Sequence, residues 1–366
     1  MADAVTVPDE WLPGIDALRK APEGAAIFLL GGVDRGKTTF TTHAARILAA
    51  EFERVAVVDC DIGQSEIGPP GTVGVARARA DAERLTDLKP AGIYFVGAFS
   101  PAQVALETVT ATAEAIARAR IAKANRILVD TSGFVSGPAA RRLKVAKAQV
   151  VAPSLILGFG AQAEIGGLLS AVSNATGAKT LRLETPAAVG RKLTALRTTR
   201  RLTRLARALE NGREIDLPLR EVSLVGATLG AGEPLPPELI RWSAKVLRMP
   251  LAYGESADGL LTLFLRDGVP RRDWEVDAEP VSAHFKAKSV RVLSLGSYVG
   301  AYLGLHDTRG QLLSVARCIG LDPVRDVLTV FAPPPATPER VRLVSFGRVR
   351  LNEDGSQHSD IRPGEI

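Results

Sequence analysis

The stretch 30-LGGVDRGKTTF-40, followed by 55-VAVVDCDIGQSEIGPPG-71, decides the fold. Gly31 through Thr38 meets the spacing G-x-x-x-x-G-K-[ST] at every required position. Its flanks fit too. The run 25-AAIFLLG-31 is apolar, bounded by glycine, and reads as a buried strand; Lys37 to about Phe52 is alanine-rich and reads as a helix. Glycines let backbone N–H groups turn inward around phosphate oxygens, and the helix start points its positive end at the same anion. Gly31, Gly32, Val33, Asp34, Arg35, Gly36, Lys37, Thr38 and Thr39 are therefore the candidate nucleotide-binding residues, with Lys37 reaching the β- and γ-phosphates and the Thr38 hydroxyl available to Mg²⁺.

The second stretch supplies acid. Asp59 and Asp61 alternate on a strand, so both should project to one face beside the metal and the γ-phosphate, with Cys60 facing away. One of the two should hold Mg²⁺ and the other is free to accept a proton from a nucleophile. No N/T-K-x-D guanine-reading motif follows, which disfavours a GTPase, and Gly32 stands where partitioning ATPases carry an extra lysine.

Working outward, 93-IYFVGAF-99, 126-RILVDT-131 and 153-PSLILGF-159 read as strands, with helices over 102–123 and 138–149 between them. Strands alternating with helices predict an α/β fold: a P-loop NTPase with a doubly wound parallel sheet, whose ligands bind beyond the carboxyl ends of the strands. The stretch 190-GRKLTALRTTRRLTRLARALENGR-213 predicts an arginine-rich helix over about 190–212. From about Glu221 the chain turns to short β-prone runs: 260-LLTLFLRDG-268, 290-VRVLSLGSYVGAYLGLHD-307, 327-VLTVFAPPP-335 and 341-VRLVSFGRVRL-351. The expected organisation is an N-terminal lead over 1–24, a P-loop domain over 25–220 and a β-rich C-terminal domain over 221–366, with a boundary near 215–225.

Composition sets the outer limits. The 366 residues are 46% hydrophobic and 23% charged, so disorder is not the default, and 46 Lys+Arg against 40 Asp+Glu leave a charge of +6, compatible with nucleic acid without requiring it. Two distant cysteines give neither a disulfide framework nor a zinc spacing and suit a cytoplasmic protein. The first residues do not read as a signal peptide and no apolar run reaches membrane-spanning length, so no membrane is expected. His43, His284, His306 and His358 show no partner spacing. Arg141, Arg142, Lys144 and Lys147 form a basic patch that could line a nucleic-acid path but reads first as an ordinary solvated face, and Tyr94 and Phe134 could stack on a base but read first as core.

The quoted motifs resemble a known family. The segment 59-DCDIGQSEIGPPGTVGV-75 is similar to the D-x-G-Q…PPG signature of polynucleotide 5′-hydroxyl kinases, which include the RNA kinase of the pre-mRNA 3′-end cleavage machinery and the nucleolar kinases of ribosomal RNA processing. The likeness continues in 94-YFVGAFSP-101, 130-DTSGFVSG-137, 304-GLHDTRG-310 and 346-FGRVRLNEDG-355. It implies ATP and Mg²⁺ as cofactors, and transfer of the γ-phosphoryl to the free 5′-OH end of RNA or DNA. It implies Asp61 as general base, Gln64 beside the acceptor end, and Thr131, Ser132 and Gly133 as a clasp around Lys37 and the phosphates. Phe134 keeps the ring of the family's clasp aromatic without its polar handle. The arginine-rich helix corresponds to a lid. Arg197, Arg201 and Arg204 share one helical face by spacing, Arg200, Arg204 and Arg207 an overlapping one, and Arg197, Arg200 or Arg201 is the candidate for the phosphates. With so short a lead, the chain resembles the compact archaeal and bacterial form. The residues alone leave three rivals: a regulatory or assembly ATPase, a small-molecule kinase, and a nucleic-acid-binding module with ATP as a switch.

Overall fold

Alternation of apolar runs with amphipathic helices builds the first half of the chain. The computed structural model describes residues 7–187, 189–190, 194–266 and 278–366. The chain divides into two compact units, Met1–Arg204 and Leu205–Ile366.

The first unit opens with helix α1 (Leu12–Lys20), then strand β1 (Ala25–Gly31), helix α2 (Lys37–Glu51), and strands β2 (Val55–Cys60), β3 (Thr72–Arg77) and β4 (Pro90–Phe95). Helix α3 (Ala105–Ile121), strand β5 (Arg126–Thr131), helix α4 (Gly137–Val151), strand β6 (Leu155–Phe159), helix α5 (Gln162–Thr176), strand β7 (Lys179–Leu183) and helix α6 (Thr194–Ala208) follow. The seven strands form one sheet in the order β4-β3-β2-β5-β1-β6-β7. Pairs β2–β5, β5–β1, β1–β6 and β6–β7 are parallel, while β3 runs antiparallel to both its neighbours. The parallel expectation holds for the centre of the sheet and is corrected at its edge. There the chain after the 61–71 loop turns straight back instead of crossing over.

Every residue of β1, β2 and β5 is buried, as strands covered on both faces require. Helices α3, α4 and α5 cover one face through Ala115, Ile116, Ala148, Ile165 and Val172; α1 and α2 cover the other through Ile15, Leu18, Phe40 and Leu48. The N-terminal lead is thus part of the core. Trp11 is buried, meets Phe40 edge-on at 5.6 Å and Phe159 at 6.4 Å, and donates its indole N–H to the Glu184 carbonyl. Because β5 lies between β1 and β2, its carboxyl end emerges beside the phosphate-binding loop.

The second unit is β-rich, as expected. The strands Ala301–His306, Leu312–Asp322, Val327–Ala332 and Leu343–Leu351 pair antiparallel around a core of Leu303, Leu305, Leu328, Val330 and Val344. A smaller four-stranded sheet carries the helices Pro237–Leu247 and Glu279–Phe285. The division falls earlier than 215–225, because strand Arg213–Pro218 pairs with Val327–Ala332 and so belongs to the second unit's sheet. Parts of two sequence readings, 191–193 of the lid helix and 267–268 of the strand run, lie outside the described residues. None of the described helices is long and apolar enough to cross a membrane.

Candidate active site

Residues at the carboxyl ends of β1, β2 and β5 carry the site. Gly36 closes the loop in the left-handed region, φ 84°, a conformation that a side chain disfavours, and Lys37 begins α2 immediately after it. The Lys37 side chain is almost fully buried and donates from Nζ to the Gly32 carbonyl over 2.7 Å. Burial pulls its pKa down, while Asp130, Asp61, Asp34 and Glu164 oppose that with their negative charge. Arg35 leans out of the loop and pairs in a two-pronged contact with Glu164 of α5.

Thr38, next along α2, donates its hydroxyl to Asp130 Oδ2 over 2.6 Å. Asp130 sits one residue before the end of β5, was not among the candidates read from sequence, and is 1% exposed. Its other oxygen, Oδ1, is buried without a hydrogen-bond partner among the described residues. Burial raises its pKa to about 6, against the pull of Lys37 and the Thr38 hydroxyl.

Asp59 in β2 and Asp61 just beyond it have different surroundings. Asp59 is buried and spent on backbone: Oδ1 accepts the N–H of Asp61, and Oδ2 accepts the N–H groups of Glu66 and Ile67. Burial, with Asp130 nearby, pushes its carboxyl up to about 8 against those donors. With three N–H groups on its two oxygens, Asp59 holds the 61–67 loop in shape. Asp61 lies just past the strand, is only partly buried, and accepts the Gly63 N–H over 3.2 Å. It stands close enough to Asp130 and Lys37 for their charges to interact.

Among the described residues no cluster of three or more His, Cys, Asp or Glu could cage a metal. Mg²⁺ does not need one, since it is held by one or two carboxylates together with water and substrate phosphates. The orphaned Asp130 Oδ1, the Thr38 hydroxyl and the neighbouring Asp61 fit that demand.

The clasp residues sit against the phosphate-binding loop. Thr131 is buried and donates its hydroxyl to the Leu29 carbonyl over 2.7 Å, which ties β5 to β1. A Cβ on Gly133 would fall 2.7 Å from both N and Cα of Val33, so only glycine permits this approach. Behind them, Lys144 and Lys147 contradict the solvated-face reading: they are 0% and 1% exposed. Lys144 Nζ donates to Thr131 Oγ1 over 2.7 Å and to the Ser132 carbonyl over 2.5 Å, and Lys147 Nζ reaches the Cys60 carbonyl at 3.4 Å. Their neighbours Ala140, Leu143, Ala148 and Val151 make the buried stripe that carries both lysines inward. Arg141 and Arg142 are exposed, as read.

Helix α6 brings the lid arginines onto this framework. Arg197 pairs with Asp34 of the phosphate-binding loop at 3.0 Å, and its backbone carbonyl accepts from Gln64 Nε2 at 3.3 Å. Arg201 lies over the Phe99 ring at 5.1 Å, and burial lowers its pKa. Arg204 donates to the carbonyls of Gln64 and Ser65 and pairs with Glu66. The 197/201/204 face thus points inward, and Arg200, a candidate by sequence, is exposed on the outer side. Arg204 is the lid residue that deserved a place among the candidates, since its spacing put it on the inner stripe.

With loop, acids, clasp and lid placed, comparison with known proteins is direct. Residues 31–210 match the family model described as mRNA cleavage and polyadenylation factor CLP1 P-loop. That segment is similar to this family. A Methanocaldococcus jannaschii protein named polyribonucleotide 5′-hydroxyl-kinase is 26% identical over 96% of this chain and 94% of its own length. A protein of the same name from Pyrococcus furiosus is 28% identical over 90% of this chain and 89% of its own. Among solved structures, a Clp1p–Pcf11p complex superimposes with a TM-score of 0.56 at 10% identity, over 92% of this chain and 77% of that one, which is a likeness of fold.

Proposed function

We propose that this protein is an ATP-dependent polynucleotide kinase that transfers the γ-phosphoryl group to the 5′-OH end of RNA. One observation carries the reading furthest: the loop holding Asp61 is bonded to the lid helix through Gln64 and Arg204, and the same helix is bonded to the phosphate-binding loop through Arg197. An acid, a triphosphate cradle and an arginine lid joined in one bonded set are what in-line phosphoryl transfer to a hydroxyl needs. The names of the archaeal relatives support RNA as the acceptor class.

In this reading the loop N–H groups and Lys37 hold the β- and γ-phosphates. Thr38, Asp130 and Asp61 are the residues that would hold Mg²⁺, which neutralises charge on the phosphate oxygens when bound. Arg197 and Arg201 approach the γ-phosphate from the lid and offset the charge that spreads over its equatorial oxygens. Asp61 is partly exposed, so an incoming 5′-hydroxyl can reach it, and it accepts that hydroxyl's proton as the oxygen attacks phosphorus. Gln64 and the clasp residues 131–133 line the acceptor side.

The test is purified protein with γ-labelled ATP or GTP and a panel of 5′-OH RNA, 5′-OH DNA and mononucleosides. Label on RNA ends that vanishes with Lys37→Ala supports the proposal. Transfer to nucleosides in preference to oligonucleotides, or ATP turnover with no labelled end, overturns it.

A further inference from the structure

Two lysines inside α4 have no part in the scheme above. A buried ammonium is costly unless a counter-charge sits against it. Neither Lys144 nor Lys147 forms an ion pair among the described residues; Lys144 rests on two neutral acceptors, the Thr131 hydroxyl and the Ser132 carbonyl. The titratable groups around Lys144 are Lys147 on its own helix, Lys37 on α2, Asp130 on β5, Asp61 after β2 and the Cys60 thiol of β2. Burial and the two lysines push its pKa well down, and Asp61 opposes them. A leucine or methionine would fill the same interior with none of this penalty. What the lysine adds is a pair of short bonds to one loop, and that loop is the clasp.

The bonds form a continuous chain. Lys144 grips Thr131 and Ser132; Thr131 in turn donates to Leu29, two residues before the phosphate-binding loop; and Gly133 lies directly on the backbone of Val33 within that loop. We propose that Lys144 is a positioning residue for phosphoryl transfer, a buried clamp that presses residues 131–133 onto the phosphate-binding loop and so keeps Lys37 and the γ-phosphate aligned with the acceptor. This rests on the kinase reading for its activity readout. Among the described residues Lys147 bonds to the Cys60 carbonyl and not to the clasp, so it serves as the internal control.

The experiment compares full-length Lys144→Met and Lys147→Met with the parent chain in four measurements: kcat for transfer to 5′-OH RNA, equilibrium ATP affinity, thermal midpoint, and amide exchange at residues 131–133. Lys144→Met is expected to lower kcat about tenfold to a hundredfold, as misplacement of reacting groups does. ATP affinity should stay within about threefold, because the loop N–H groups that bind triphosphate are untouched. The thermal midpoint should hold or rise, since a buried ammonium has been replaced by an apolar chain of similar length. Exchange at 131–133 should speed up at least about tenfold as the local opening free energy falls. Lys147→Met should leave kcat and that exchange near parental values. Unchanged kcat, or a kcat that falls only in step with the thermal midpoint, overturns the clamp. If the parent labels no 5′ end, the kinase reading fails separately, and unchanged exchange at 131–133 in Lys144→Met still overturns the clamp.

Discussion

Thr38, at the head of α2, donates its hydroxyl to Asp130 at the end of β5, and the second oxygen of that carboxylate is buried with no hydrogen-bond partner among the described residues. Two elements far apart in sequence thus converge on one small polar point beside the triphosphate cradle. A buried acceptor left unmet is costly, and a divalent cation is the ligand that relieves it at a phosphate site. Asp130→Asn should therefore raise the Mg²⁺ concentration for half-maximal activity and lower kcat/KM by roughly a hundredfold, about 3 kcal/mol of transition-state stabilisation. The protein should fold as well as the parent, since a buried charge has been removed. A Mg²⁺ titration of the transfer rate checks this, and an unchanged half-saturation point refutes it.

The same carboxyl predicts a pH dependence. An unfolded aspartate titrates near ~3.9, and Asp130 is raised to about 6 by burial. Between those values the unfolded chain has released the proton and the folded chain retains it. Stability from this group is therefore complete below the unfolded value and is lost as pH rises through about 6. Mg²⁺ requires the ionised form, so binding below about pH 6 must release a proton. The expected result is weaker Mg²⁺ affinity at roughly pH 5.5 than at roughly pH 7.5, with proton release at the lower pH only. Calorimetry in two buffers of different ionisation heat measures both quantities. A flat affinity would remove Asp130 from the metal site.

The lid makes a contrast between neighbours in sequence. Arg197 is held by Asp34 of the phosphate-binding loop, while Arg200 faces outward. Arg197→Ala should reduce kcat by about 10² to 10³, the scale of losing one preorganised donor to developing charge. Arg200→Ala should stay within about threefold of the parent, as exposed substitutions usually do. Steady-state kinetics on the two variants separates them, and equal losses would mean that the lid is read on the wrong face.

Gly133 tests the clasp without touching charge. A methyl group there would sit 2.7 Å from the backbone of Val33, well inside contact distance, so either the clasp or the phosphate-binding loop must shift. Gly133→Ala is expected to raise KM for ATP and lower kcat, together costing about 10²-fold in kcat/KM, as an ångström-scale displacement does. Activity close to the parent's would mean that the two loops need not touch during turnover.

Much of this was legible from the chain. The bounds of β1 and β5 follow from apolar runs closed by Gly or polar residues, and α2 from the glycine-lysine boundary, because each signal is local. Strand β3 was not legible: 72–77 follows directly on the motif-bearing loop, and nothing local says that it turns back antiparallel to β2. Asp130 was missed for a different reason. Its importance comes from β5 lying between β1 and β2, and strand order is a long-range property that no spacing reveals. Lys144 and Lys147 were misread because lysine is almost never fully buried. The Ala140, Leu143, Ala148 and Val151 stripe around them was the available signal, and it outweighed residue type.

Asp59 provides the last test, one of stability. It was expected beside the metal, yet both oxygens are filled by the N–H groups of Asp61, Glu66 and Ile67, and it is 1% exposed. Asparagine has nearly the same shape but offers one acceptor oxygen and an NH₂ group. Whichever way the amide is turned, it sets a donor against at least one backbone N–H and leaves that group buried and unmet. Each such loss costs about 1–3 kcal/mol. Above about pH 8, where the parent carboxyl is ionised and only accepts, Asp59→Asn should therefore destabilise the fold by about 2–4 kcal/mol, and it should loosen the 61–67 loop that carries Asp61 and Gln64. Urea unfolding gives the first number, and the denaturant slope should not change. Were Asp59 a metal ligand instead, the variant would unfold like the parent and lose its response to Mg²⁺. The two roles predict opposite patterns, and the three backbone bonds favour the first.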